Sequence, residues 1–262
     1  RFWQDVLSER ISSSTRQFSE AFSTYDIPMD ASGKVLIILI KFVHLMEPMD
    51  KRDREIFNFA IRNIASEIIS KNNDGVIIQD HNGNNLAVLY SFDETEQGMA
   101  LIKGLCNEFI GACNLYINCF LSCYVGNHVE VTDMVNSYNT LLQVEEINTT
   151  KSNTVIFQND FKECLTETIQ TAPFSNWNVL LETGKKEELL RRVKNYMDAA
   201  AKSGITRENM LAFYFGIMNM IYGVAHKNGF SVNEIPGLNG LDQTKLLLNS
   251  VFHLDGWVIR VL

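Results

Sequence analysis

Positive charge is scarce in this chain. Lys and Arg number 23 against 31 Asp and Glu, a net charge of −8 over 262 residues. Phosphate neutralisation needs a basic face, so the excess of acid argues against a self-sufficient nucleic-acid binder. Also missing is an apolar run of the ~18 residues that a membrane span requires. The densest run, Val35 to Ile40, is strand-sized. The opening residues lack the pattern of a secretory leader, and none is expected. The chain starts at Arg1 and stops at Val261-Leu262 just after an apolar stretch, which reads as a segment of a longer protein. The signatures of a Gly-x-Ser-x-Gly elbow, a phosphate-binding Gly-x-x-x-x-Gly-Lys-Ser/Thr loop and a Gly-x-Gly-x-x-Gly turn are absent too. What remains is 46% apolar and 21% charged, enough to bury a core. The length fits one large domain or two ordinary ones.

Cysteines number only five, at positions 106, 113, 119, 123 and 164. An odd count in a chain too large to need staples points to a reducing, cytoplasmic compartment. Four of them are separated by six, five and three residues, unlike the paired knuckles that hold zinc. They read as buried free thiols, two on a helix and two on a strand. The histidines (44, 81, 128, 226, 253) are scattered, with no i, i+4 pair to hold a metal. No cofactor and no metal-ligand set is expected.

Hydrophobic periodicity gives the organisation. Residues 1–24 read as one helix, with Phe2, Trp3, Val6, Leu7 and Ile11 repeating, before a turn at Ile27-Pro28. Residues 34–42 form a continuous aliphatic run, the pattern of a central strand covered on both faces. Asp50 to Lys71 is a helix whose stripe is Ile56, Phe59, Ala60, Ile64, Ile68 and Ile69. Asp50 or Asp53 caps it. Asn73-Asp74-Gly75 breaks it. Val76–Gln79 and Leu86–Tyr90 are strands around Asp80–Asn85. Asn82-Gly83 predicts a type I′ turn with positive φ at both residues. A helix beginning near Phe92–Glu96 runs to about Ile117, a strand covers Phe120 to Val125, a helix Glu130 to Glu146, and Thr154–Phe157 is a short edge strand. The order from 34 to 126 is β-α-β-β-α-β, a split βαβ unit with both helices on one face.

After about residue 162 strand signals vanish. Leu189, Leu190, Val193, Tyr196, Met197 and Ala200 make one helical stripe, and Met210, Tyr214, Ile217, Met218, Ile221 and Val224 another. Gly184, Gly204 and Gly229 stand where helices stop. A last helix spans Leu241 to Leu254. The fold class is α+β: an N-terminal helical segment (1–30), an α+β domain (31–160) and an all-α bundle (161–262). The Met and aromatic stripe reads as bundle core, with a docking face for another domain as the alternative. Lys185-Lys186-Glu187-Glu188 and Arg191-Arg192 read as a solvated face.

The hairpin Asn82-Gly83-Asn84-Asn85-Leu86 resembles a decayed Gly-Gly-Asp-Glu-Phe (GGDEF) signature of diguanylate cyclases, on the same hairpin of a nucleotide-cyclase-like βαββαβ unit. Gly83 matches the second glycine, Asn84 and Asn85 stand at the acidic pair, and Leu86 replaces the Phe. The family's metal-binding Asp at the end of the first strand has no counterpart in Ile40-Lys41-Phe42-Val43-His44. More widely, the opening Arg-Phe-Trp-Gln-Asp-Val-Leu, the strand Val35–Ile40 and the helix from Asp50 to Ile68 resemble the middle region of YesN-like, AraC-type response regulators. Asn176-Trp177 to Gly184 and the helices after it do so too.

The resemblance implies a degenerate GGDEF-like domain followed by a helical bundle, with a receiver domain before it and two helix-turn-helix motifs after it. These domains would be the chain's own partners. A homodimer is implied as well, with DNA bound only through the missing domain and no membrane. Magnesium needs carboxylates, and neutral amides at 84 and 85 beside Lys41 argue against catalysis. The leading expectation is a non-catalytic signal-relay segment. The second is a small-molecule or nucleotide sensor using a relict cleft of Lys41, Asn82, Gly83, Asn84 and Asn85. For Asn82–Asn85 plain turn chemistry is the first reading. Lys41 reads as a solvated strand-end lysine or, secondly, a phosphate partner.

Overall fold

The computed structural model describes residues 2–8, 10, 15–25, 27, 29–30, 32–45, 51–71, 75–90, 93–161, 171–203, 205–230 and 251–262. Ile11, Pro28, Asp50, Asn73-Asp74, Phe92, Cys164, Gly204 and residues 241–250 lie outside them, as do the side chains of His44, Asp53 and His253. The chain divides into two compact units, residues 1–145 with 152–162 and residues 146–151 with 163–262.

The first unit is an α+β layer structure around β1 (Lys34–Leu45). The remaining elements are α3 (Lys51–Ile68), β2 (Gly75–Gln79), β3 (Asn85–Leu89), α4 (Glu96–Ile117), β4 (Cys119–Val125), β5 (Val129–Glu130), α5 (Met134–Ile147) and β6 (Val155–Phe157). The sheet order is β2-β3-β1-β4-β6, with β5 pairing the start of β1. Each neighbouring pair among the first four strands is antiparallel, and β6 joins β4 in parallel at the edge. Leu36, Ile38 and Ile40 face α3 and α4 in one core with Phe57, Ile61, Cys106, Phe109 and Cys113. Both helices therefore cover the same sheet face, as the β-α-β-β-α-β reading expects. The strand β5 has no counterpart in that reading; two residues are too few to carry a period.

Two elements differ from the sequence reading. The buried line of α3 is Phe57, Ile61 and Ala65, continued by Ile69 just past its end, whereas Ile56 and Phe59 are each 59% exposed. Apolar residues occupy both sides of this helix, so periodicity admits two rotations. The Phe42–Phe57 ring pair, centroids 5.5 Å apart, selects one. The N-terminal segment holds two helices, α1 (Phe2–Leu7) and α2 (Thr15–Thr24), rather than one. The Phe2 ring lies 6.2 Å from Phe18 and 5.6 Å from Phe22. A continuous helix would separate residues 2 and 18 by about 24 Å. The serine after α1 turns its hydroxyl onto the Asp5 carbonyl, which favours a turn over helix propagation.

The second unit is helical: α6 (Phe174–Glu182), α7 (Lys186–Ser203), α8 (Arg207–Lys227) and α9 (Val251–Val261). Thr206 caps α8 by accepting from Asn209 N–H. Gly184 and Gly229 take left-handed φ values of 68° and 71° just after α6 and α8. The two stripes form the core, with Trp177, Phe213 and Trp257 added; Leu190, Tyr196 and Val224 are only partly buried. Within this unit the Met and aromatic stripe is core. The described part of the last helix starts at Val251, later than the expected 241–254. The 146–151 segment is stitched into the unit by Thr149, whose hydroxyl donates to the Ile205 carbonyl and whose own carbonyl accepts from Val251 N–H.

Two glycines on α8 make opposite predictions. A Cβ on Gly216 would lie 2.1–2.5 Å from the Phe174 ring, which packs flat on the helix there. A Cβ on Gly223 would meet nothing within 4 Å. Urea unfolding should show Gly216→Ala destabilising by about 1–3 kcal/mol through overpacking. Gly223→Ala should stabilise by roughly 0.5–1 kcal/mol through helix propensity. Equal effects would contradict this packing.

Candidate functional site

The β2–β3 hairpin closes differently from the expected type I′ turn. Gly83 has a φ of 84° while neither His81 nor Asn82 is in the positive-φ region. Gly83 N–H donates to the Asp80 carbonyl at 3.2 Å, and Asp80 N–H to the Asn84 carbonyl at 2.9 Å. This is a three-residue loop, a type I turn followed by a left-handed glycine. Asp80 is the reason. One of its carboxylate oxygens accepts Asn82 N–H at 2.9 Å and Asn84 N–H at 2.7 Å, fixing the turn from inside. The Gly83 carbonyl accepts from Gln79 Nε2 at 3.2 Å, and His81 is exposed at the tip.

Asn84 and Asn85 do not act as a pair. Neighbours on a strand point to opposite sheet faces. Asn85, 1% exposed, faces α3, where its amide donates to Asn58 Oδ1 at 3.0 Å and its oxygen accepts from Arg62 at 3.3 Å. Asn84 faces the other side. Its amide donates to the second Asp80 oxygen at 2.9 Å and to the Tyr138 hydroxyl at 3.2 Å. Its oxygen accepts from Lys41 Nζ at 2.8 Å. The Tyr138 hydroxyl donates to that same Asp80 oxygen.

Lys41 is not a solvated strand-end residue. Its side chain is 26% exposed, and its ammonium lies 3.7 Å from the Glu145 carboxylate on α5, itself 10% exposed. Both Lys41 contacts come from the fold's own polar groups. Burial first, and then the Asp80 carboxylate beside it, push the Tyr138 phenol well above its usual range, so it remains a neutral donor.

The five residues singled out in the sequence thus divide. Lys41, Asn84 and the Asn82–Gly83 turn belong to one network; Asn85 belongs to another across the sheet. Asp80, Tyr138, Glu145, Asn58 and Arg62 complete these networks and were not singled out. Only Asp80 had a local signal, as an Asp opening a turn two residues before Asn82. Chemically, the Asp80 carboxylate accepts four hydrogen bonds, two at each oxygen, which fills its lone-pair positions. That leaves it no capacity to ligate magnesium. Among the described residues no group of three His, Cys, Asp or Glu is placed to hold a metal. No helix among them is long and apolar enough to cross a membrane.

Compared with known proteins, the chain matches no family model and no curated sequence.

The four described cysteines are buried free thiols in the core between the sheet and its two helices. Burial pushes the Cys113 and Cys119 thiols up to about 12. Burial and a hydrogen bond with Cys106 raise Cys123 as well. Thiolate, the reactive form, is therefore scarce at neutral pH. Titration with a disulfide reagent at pH 8 should leave these four unmodified in the folded chain and modify all of them in denaturant. Rapid native modification would contradict their placement. Tyr138→Phe removes a donor from a charged acceptor and should cost about 1–3 kcal/mol in denaturant unfolding. Tyr138 also sets a sign: its raised folded value means stability is fully present below the unfolded value near 10 and falls as pH rises beyond it, less steeply in the Tyr138→Phe variant.

Proposed function

We propose that the chain is a non-catalytic regulatory segment of an AraC-type transcriptional response regulator, a degenerate GGDEF-like domain followed by a helical bundle. It couples a receiver domain on one side to a DNA-binding domain on the other. The observation that carries this reading is the use of the hairpin's polar groups as a lock. Active cyclases need free carboxylates at this hairpin to neutralise metal and triphosphate charge. Here two neutral amides occupy those positions, the nearest carboxylate is saturated by four donors, and Lys41 is engaged by Asn84 and Glu145. A hairpin held this way suits a rigid scaffold between domains. Relay through it requires two arrangements of the neighbouring domains whose free energies the receiver biases.

The reading frame tests this directly. Read to its natural ends, the gene should continue into a receiver domain upstream and two helix-turn-helix motifs downstream. A frame that continues into neither contradicts the proposal. Thermal unfolding with GTP or cyclic di-GMP, with and without magnesium, should show no shift, and GTP should yield no cyclic product. A ligand at 100 times its dissociation constant would add about 2.7 kcal/mol, several degrees for a cooperative unit of this size. Such a shift would replace the relay with the sensor reading.

A further inference from the structure

The helical unit holds a cavity of about 110 Å³ between the start of α6, the middle of α7 and the first turns of α8. Phe174, Tyr196 and Phe213 form its walls, and the exposed Thr171, Asn209 and Ala212 its rim. The walls are braced from behind. Tyr196 and Phe213 stack with centroids 5.3 Å apart and planes 9° apart. Trp177, 1% exposed, meets both edge-on at 5.7 and 6.1 Å. Phe174 meets Trp177 edge-on at 5.6 Å and rests on Gly216, where a Cβ would collide with its ring. Rings held this way do not swing inward to close the space. Close-packed interiors leave few spaces larger than a water molecule, and this one has room for several. Waters would find few partners against three ring walls. An apolar cavity of about 150 Å³ takes up benzene. The present one, open at an exposed rim, is of the same order.

We propose that this cavity binds a small uncharged molecule of the phenol class, one aromatic ring with one hydrogen-bonding substituent. The proposal is independent of the regulatory reading. The ring packs among Phe174, Tyr196 and Phe213, and the substituent sits at the rim by Thr171 and Asn209. Aromatic pairs favour edge-on or offset contact at about 4.5–7 Å, the spacing these walls already keep among themselves. The lack of charge selects a neutral ligand. No Arg, Lys, His, Asp or Glu is among the described residues that line the cavity. An entering ion would lose its water and gain no counter-charge. A cation is drawn to aromatic faces, but Tyr196 and Phe213 each spend one face on the other. Hydrogen-bonding capacity, by contrast, is to hand. The Thr171 hydroxyl, the Asn209 amide and the Tyr196 hydroxyl have no partner among the described residues. Burial holds the Tyr196 phenol above its ordinary value, so it stays neutral.

The test is an NMR titration of the whole 262-residue chain with phenol, toluene, benzoate and benzyltrimethylammonium, with circular dichroism as the fold control. Phenol should bind saturably, toluene more weakly, and the two ions not at all. Ala212→Leu puts a larger side chain on the rim at an exposed helical position. It should leave the melting temperature unchanged and weaken phenol by ~tenfold or more. Asn209→Ala should bring phenol down towards toluene while leaving toluene as it was. A substitution that merely loosened the unit would weaken both alike, so this comparison does not depend on the Ala212 variant. Absence of saturable phenol binding, indifference to Ala212→Leu, equal losses of phenol and toluene in Asn209→Ala, or either ion binding as well as phenol would each overturn the proposal.

Discussion

Six consecutive side chains, Val35 to Ile40, are at most 2% exposed. A strand alternates its side chains between faces, so this run can be buried only if both faces of the sheet are covered at once. Each such residue contributes about 2 kcal/mol when fully buried. That requirement organises the first unit. The two crossover helices α3 and α4 take one face. On the other, Tyr138 and Glu145 of α5 reach the hairpin and the end of the buried run.

Lys41 follows Ile40 within β1, on the sheet face opposite α3 and α4. A charge there must be matched or desolvation would expel it. The match comes from β3 through Asn84 and from α5 through Glu145. Asp80 then ties the hairpin loop and Tyr138 into the same network. One chain of hydrogen bonds therefore joins the central strand, the hairpin and α5. The same contacts that hold these elements together occupy the groups a nucleotide or metal would need. Structural use and ligand binding compete for one set of lone pairs, and here the fold holds them.

The strand and helix order was legible because long apolar runs and helical stripes are local signals. β1, α4, the stripes of α7 and α8 and the burial of four cysteines all follow from them. The helix-terminating glycines at 184 and 229 were legible for the same reason, since only glycine takes their backbone freely. The rotation of α3 was not, because Ile56 and Phe59 extend its stripe equally well and Phe42 decides between faces from another element. The hairpin's turn type was missed because Asn82-Gly83 suits a type I′ turn locally, while the Asp80 carboxylate stabilises a different one. The surroundings of Lys41 were out of reach for a plainer reason. Asn84 lies 43 residues away in sequence, and Glu145 lies farther still, on the helix α5. No local pattern encodes such a meeting.

The central claim is that the hairpin's polar groups are bound to one another as a structural lock. A double-mutant cycle between Asp80→Ala and Tyr138→Phe, read by urea unfolding, tests it most directly. Residues sharing one network couple by about 0.5–3 kcal/mol. The account predicts a coupling in that range, with the double variant less destabilised than the sum of the single ones. Additive effects, or single variants as stable as the wild type, would mean that the hairpin is not locked and that its polar groups are free for something else.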